Sequence, residues 1–302
     1  LLVLGAAPAR AADKLTVLLH WFVNPDHGPL IVAENKGFFA EEDLEVELIA
    51  PADPNDPPKL VAAKKAEIAV SYQPQLHIQA AEGLPLVRFG TLVATPLNTL
   101  VALKGGPVKT IADLKGRKVG FSVGGFEDAL LGAMLKKHGL ALSDVELVNV
   151  NFSLSPSIIS GQVDAVIGAF RNFELNQMDI VGQPGRAFFV EEEGVPPYDE
   201  LIYVAHRDSL NDPRLKRFLA AVEKATQYLV NHPTAAWEAF IDGRKDLDDE
   251  LNKRAWRDTL PRFALRPAAL DSARYLRFEA FMRESGLVTK PTDVTDYTTE
   301  LR

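Results

Sequence analysis

Between positions 18 and 39 the chain reads LLHWFVNPDHGPLIVAENKGFF, which puts Trp21, Asn24, Asp26 and His27 into the few residues joining an apolar run to a helical one. An indole can stack on a flat ring, and an amide can both donate and accept. A carboxylate next to an imidazole is the raw material of a general base or a metal site. No cluster of His, Asp and Glu at ligand spacing accompanies His27, so a polar contact or a helix cap is its simpler role. Three further stretches have the same character: SYQPQ with Ser71 and Tyr72, SVGGFED with Gly124 and Phe126, and AFRNFEL with Phe170, Asn172 and Glu174. The aromatics in them can pack in a core or stack on a flat ligand. Glu174 can be a charge favourable to a helix start, or a carboxylate that accepts two parallel hydrogen bonds from an amino-substituted heteroaromatic edge. The backbone of SVGG could face an anion, but it lacks the Lys-Ser/Thr of a phosphate loop and the G-x-G-x-x-G spacing. No G-x-S-x-G elbow occurs either, and the EEE at 191–193 reads as a solvated loop.

These four stretches have a common setting, since each follows a short apolar run and precedes an amphipathic segment. KLTVLLHW, LEVELIAP, IAVSY, KVGFSV and DAVIGAF have strand character, and the segments between them close on glycine as helices do. The alternation predicts an α/β fold of two lobes, with all four loops at the carboxyl ends of strands, where such folds hold ligands. NTLVALK at 98–104 and ELIYVAH at 200–206 bracket the second series. Taken as two crossover strands lying side by side, they delimit one lobe at 104–203 and another built from 13–103 plus 204–302, with the crossovers as a hinge. After position 207 the pattern becomes helical throughout, as expected of segments that complete the first lobe.

Composition excludes several classes. The chain has 302 residues, 47% hydrophobic and 25% charged, ordinary for a globular protein with room for two domains. Its 33 basic and 41 acidic residues give a net charge of −8, and no basic block with interleaved aromatics offers itself to nucleic acid. The absence of cysteine removes disulfides, cysteine–zinc sites and a thiol nucleophile. Ala9-Arg10-Ala11, closing an apolar start, matches the small-x-small pattern of a cleaved export signal, so residues 1–12 are set apart from the fold and a periplasmic location is expected, with cleavage near Ala11.

The stretches LLHWFVNPDHGPLIVAENKGFF, PADPNDPPKLVAAKKAEIAVSYQPQ and GAFRNFELNQMDI, with DLKGRKVGFS between them, resemble the NMT1-like substrate-binding proteins of bacterial ABC importers. Within that group they are most similar to the binders of thiamine pyrimidine precursors. The resemblance implies a type II periplasmic-binding fold, no cofactor, and a monomer that captures an aminopyrimidine and delivers it to a membrane permease. It also implies that the ring stacks on Trp21 and Tyr72, that Glu174 meets the amino edge, and that Asn24, His27 and Asn172 add polar contacts. Ser71, Gly124, Phe126 and Phe170 complete the candidate ligand-binding set. Receptors for flavins or sulfonates share this fold and stand as alternatives. The same superfamily contains a fungal pyrimidine synthase that consumes its own histidine with pyridoxal phosphate. The lysine and histidine that it needs fall here on Ser71 and Gln75, with His77 nearby, and its cysteine-rich run is replaced by VPPYDELIY.

Overall fold

The computed structural model describes residues 11–290 and 292–301; the expected export segment, apart from Ala11 and Ala12, lies outside them. The chain opens with β1 (Asp13–Leu18), α1 (Gly28–Asn35), α2 (Phe38–Glu41), β2 (Leu44–Ile49), α3 (Pro57–Ala62), β3 (Ile68–Ser71), α4 (Gln73–Ala81) and β4 (Leu86–Val93). It crosses into β5 (Asn98–Leu103), β6 (Lys118–Phe121), α5 (Glu127–Lys137), β7 (Glu146–Asn149), α6 (Leu154–Ile159), β8 (Ala165–Phe170), α7 (Glu174–Ile180) and β9 (Gly185–Phe189). Returning, it forms β10 (Leu201–His206) and the helices α8 (Pro213–Asn231), α9 (Pro233–Ile241), α10 (Glu250–Thr259) and α11 (Ser272–Glu284).

Two five-stranded sheets result, ordered β2-β1-β3-β10-β4 and β7-β6-β8-β5-β9. They share one topology: three parallel strands, then an antiparallel strand, then an outer strand. The antiparallel member is in each case the first strand after a crossing, β5 in one sheet and β10 in the other. Segments 98–104 and 200–206 therefore do not lie side by side as expected. β5 pairs with β8 and β9, so residues 98–103 belong to the second sheet, whereas β10 lies between β3 and β4 in the first. The connections between the sheets are the non-strand segments 94–97 and 190–200. An apolar run marks a buried strand, but the sheet that buries it is decided by pairing distant in sequence.

Burial follows position in the sheet. Leu201–His206, an interior strand, is buried at every residue; the outer strand Leu86–Val93 is too, because C-terminal segments bridge to its free edge at Arg88–Thr298 and Val93–Phe263, while the edge strand LEVELI alternates. The late helices pack on the first lobe. α8 turns Leu215, Phe218, Leu219, Val222 and Leu229 inward, and Phe218 stacks on Phe39 at 5.7 Å. Gly90 of β4 leaves the room this requires, because a Cβ there would come within 2.7 Å of Leu219. Arg88 of β4, fully buried, donates to the carbonyls of Ala268 and Thr299 and thereby secures the C-terminal segment.

The two crossings are tied together by one side chain. Glu200 Oε2 accepts from the backbone N–H of Leu97 at 2.6 Å and of Asn98 at 2.8 Å, and from the Tyr198 hydroxyl at 3.1 Å. Glu200→Ala leaves both N–H groups buried without a partner, at ~1–3 kcal/mol each. Urea denaturation should show a loss of at least about 2 kcal/mol, with Glu200→Gln, which keeps an acceptor oxygen, losing clearly less.

Candidate functional site

The loops after β1, β3, β6 and β8 lie at the carboxyl ends of their strands and face one another across the gap between the sheets. Together they line a small cavity. The loop after β1 provides His20, Trp21, Asn24 and Asp26, and the loop after β3 provides Tyr72. From the second lobe come Glu127, Leu154, Gly168, Phe170, Phe173 and Glu174.

The first loop holds its shape through its own polar groups. Asn24 caps a short 3-10 turn, Pro25–His27, by accepting from Asp26 N–H at 2.8 Å, and the Asn24 N–H points back to His27 Nδ1 at 3.3 Å. His27 Nε2 lies 3.1 Å from His20 Nδ1. Burial lowers the pKa of both imidazoles, that of His27 to about 3, so both rings are neutral.

Aromatic rings form the walls. Tyr72 stacks on Phe126 across the lobes at 4.7 Å, and its edge meets Phe170 at 6.5 Å. Trp21 packs its edge on Phe152 at 4.6 Å, while Phe22 reaches Phe173 at 5.8 Å. Polar bonds close the same gap: Asn172 Nδ2 donates to Asp26 at 2.6 Å and to Thr259 at 2.7 Å, and Gly124 N–H donates to Asn55 at 2.9 Å.

Three carboxylates complete the lining, and no lysine or arginine lines it with them. Glu127 Oε2 accepts from the N–H groups of Ser122 and Val123 at 2.7 and 3.1 Å, and Glu174 Oε2 accepts from Phe170 N–H at 2.7 Å. Each is the first residue of a helix reaching back to the loop before it, held by one oxygen. Burial raises Glu127 and Glu174 to about 8 and Asp26 to about 6. Gly168 makes room for Glu127: its φ is +98°, and a Cβ there would fall 2.4 Å from the carboxylate. The nearest guanidinium of the β8 loop, Arg171, is forked onto Glu191 at 2.6 and 2.8 Å and stacked over Phe189.

Of the residues expected from sequence, Trp21, Asn24, Tyr72, Phe170 and Glu174 line the cavity. Phe126 backs Tyr72, Asn172 buttresses Asp26, and His27 stands behind His20. Ser71 is buried against Gln75 at 3.0 Å, and Gly124 sits at the interlobe rim. Sequence reasoning missed His20, Glu127, Leu154, Gly168 and Phe173, and left Asp26 outside the candidate set. A signal for Glu127 existed: GGFED and RNFEL both place Phe-Glu at a helix start after a strand. Among the described residues no group of His, Cys, Asp and Glu is arranged to hold a metal ion, and no helix is long and apolar enough to cross a membrane.

Two lobes of matching topology with an enclosed, side-chain-lined cavity between them define a periplasmic-binding-protein fold of type II. The periplasmic aliphatic sulphonate binding protein SsuA of Escherichia coli superposes with a TM-score of 0.71 at 15% identity, over 94% of this chain and 96% of that one. By sequence the chain belongs to the NMT1/THI5-like family, matched over residues 24–236. A Haemophilus influenzae protein named for thiamine biosynthesis is 55% identical over 295 residues, 97% of this chain and 94% of that protein. The formylaminopyrimidine-binding protein of Halalkalibacterium halodurans is 30% identical over 84% of this chain and 78% of its own. The 4-amino-5-hydroxymethyl-2-methylpyrimidine phosphate synthase of Aspergillus parasiticus is 28% identical, with the same coverage.

The buried carboxylates set a pH dependence. A folded-state pKa raised above its unfolded value stabilises fully below the unfolded value and loses that contribution as pH rises through the folded one. For Asp26, Glu127 and Glu174 the loss therefore spans about pH 4 to 8. Thermal unfolding without ligand should occur at a higher temperature at pH 6.5 than at pH 8, by at least about 3 °C; below pH 6.5 the buried imidazoles of His20, His27 and His77, lowered by burial, act in the opposite sense. In Glu127→Gln, which has no charge to lose, the fall should be shallower.

Proposed function

We propose that this chain is the solute-capturing component of an ABC importer and that it holds a small aminopyrimidine between its lobes. The observation that carries this reading is the pairing of aromatic walls with three buried carboxylates and no cation. Glu127 and Glu174 each spend one oxygen on loop N–H groups, and the rest of each carboxylate remains as acceptor for an N–H-rich, flat ligand. A sulfonate, anionic at any physiological pH, would find no lysine or arginine among the described lining residues to neutralise it. The family's pyrimidine-precursor binder is consistent with this choice.

A synthase reading finds less support. Ser71 and Gln75, where the resemblance calls for a cofactor lysine and a consumed histidine, are buried and bonded to each other. His77 does not substitute, being packed within the first lobe against Tyr275, Phe278 and Tyr297, with Tyr297 hydroxyl on its Nδ1 at 2.8 Å. The chain then works as a monomer in the periplasm, segments 94–97 and 190–200 serving as the hinge and the closed pair of lobes docking on the permease.

Closure on a ligand at 100 times its dissociation constant adds ~2.7 kcal/mol of stability, so hydroxymethylpyrimidine or its formylamino relative should raise the melting temperature. A clear shift with taurine or riboflavin and none with either pyrimidine would replace this reading by one of those ligand classes. Glu174→Gln should weaken an aminopyrimidine by ~1–3 kcal/mol, roughly tenfold to a hundredfold, in isothermal titration. The deaminated analogue should lose much less. Equal affinity of variant and parent for the amino compound would reduce Glu174 to a helix-start charge.

A further inference from the structure

We infer that His20 is a permanent hydrogen-bond donor to the bound ligand, with its proton fixed on Nε2 by a relay that begins at the backbone of Asn24. Its identity as a partner for a ring nitrogen rests on the aminopyrimidine reading; its donor state does not. The relay follows from atom types. A backbone N–H can only donate, so His27 Nδ1, 3.3 Å from Asn24 N, must be the unprotonated nitrogen of that ring. A neutral imidazole then carries its proton on Nε2, which faces His20 Nδ1 at 3.1 Å and donates to it. His20 is thereby left with Nδ1 as acceptor and Nε2–H as donor.

That second N–H has no hydrogen-bonding partner among the described residues, and the ring lies in the cavity wall between the edge of Tyr72 and the face of Phe170. Every other ionisable side chain lining the cavity apart from the Tyr72 phenol is a carboxylate: Asp26, Glu127 and Glu174. Ionised carboxylates only accept, so they select for N–H groups on the ligand. A donor fixed on His20, added to the Trp21 indole N–H and the Tyr72 hydroxyl in the same wall, requires the ligand to present an acceptor beside those N–H groups as well. An aminopyrimidine does so with an unprotonated ring nitrogen in the plane of its amino group. His27 is a positioning residue in this scheme, acting only through the tautomer of His20.

Two measurements decide the matter. Long-range nitrogen–proton correlation spectra of histidine-labelled protein, assigned with His20→Gln and His27→Gln, should show both rings protonated on Nε2 and neither titrating between about pH 5.5 and 8. A His20 protonated on Nδ1, or titrating near its ordinary value, overturns the inference. In His27→Phe the same ring should lose its single tautomer, a change that packing alone would not produce. The second measurement is affinity for hydroxymethylpyrimidine against 2-aminobenzyl alcohol, which keeps the amine and hydroxymethyl groups but has no ring nitrogen. His20→Leu should weaken the pyrimidine roughly tenfold and the benzene analogue less than about twofold. His20→Gln, able to accept from His27 and donate onward, should retain most of the pyrimidine affinity. Equal losses for both compounds would leave His20 as a packing residue. Should the parent protein bind neither compound, the ligand reading fails, and the spectra still test the donor state.

Discussion

Burying a carboxyl group disfavours its charged form, and this molecule places three around one cavity: Glu127 and Glu174, both raised to about 8, and Asp26, which the charge of Arg262 partly offsets. What makes the arrangement tenable is local. Glu127 and Glu174 each begin a helix and turn back on the N–H groups of the loop just before it, groups that a helix start leaves without partners. Asp26 relies on the opposite lobe, through Asn172. The cavity is therefore polar where the backbone can support it and aromatic elsewhere. The φ of +98° at Gly168 is part of the same solution, since a side chain there would occupy the place of the Glu127 carboxylate.

The two sheets repeat one design, and the repeat explains how the chain can cross twice without weakening either lobe. Each crossing ends in a strand that lies antiparallel between two others, so the connection is anchored in the interior of a sheet instead of at its margin. Glu200 then joins the two crossings to each other. Lobes built this way can rotate about segments 94–97 and 190–200 while their sheets remain rigid.

Much of this is legible in the residues. Strand-to-helix loops are short, their composition is local, and Trp21, Asn24, Tyr72, Phe170 and Glu174 all occur in or at the ends of such loops and all line the cavity. What stays hidden is relational. NTLVALK is plainly a buried strand, but nothing within it says that β8 and β9 are its neighbours. His20 reads as the last residue of a strand beside a conspicuous tryptophan. Its place in the wall depends on a bond to His27 that only the turn at 25–27 creates. Glu127 is masked for another reason, because a glutamate in a first helical turn has an ordinary explanation in the helix dipole.

The placement of the three tryptophans gives the molecule an optical property of its own. Trp237 and Trp256 pack against each other within the first lobe, their ring centres 5.5 Å apart, with Phe240 against both. Trp21 lies across the gap, its ring against Phe152 of the opposite lobe and its surface almost wholly covered. Separation of the lobes would expose that indole to water, while Trp237 and Trp256 keep each other and Phe240 as neighbours. Its emission thus reports opening and closing with no dye attached.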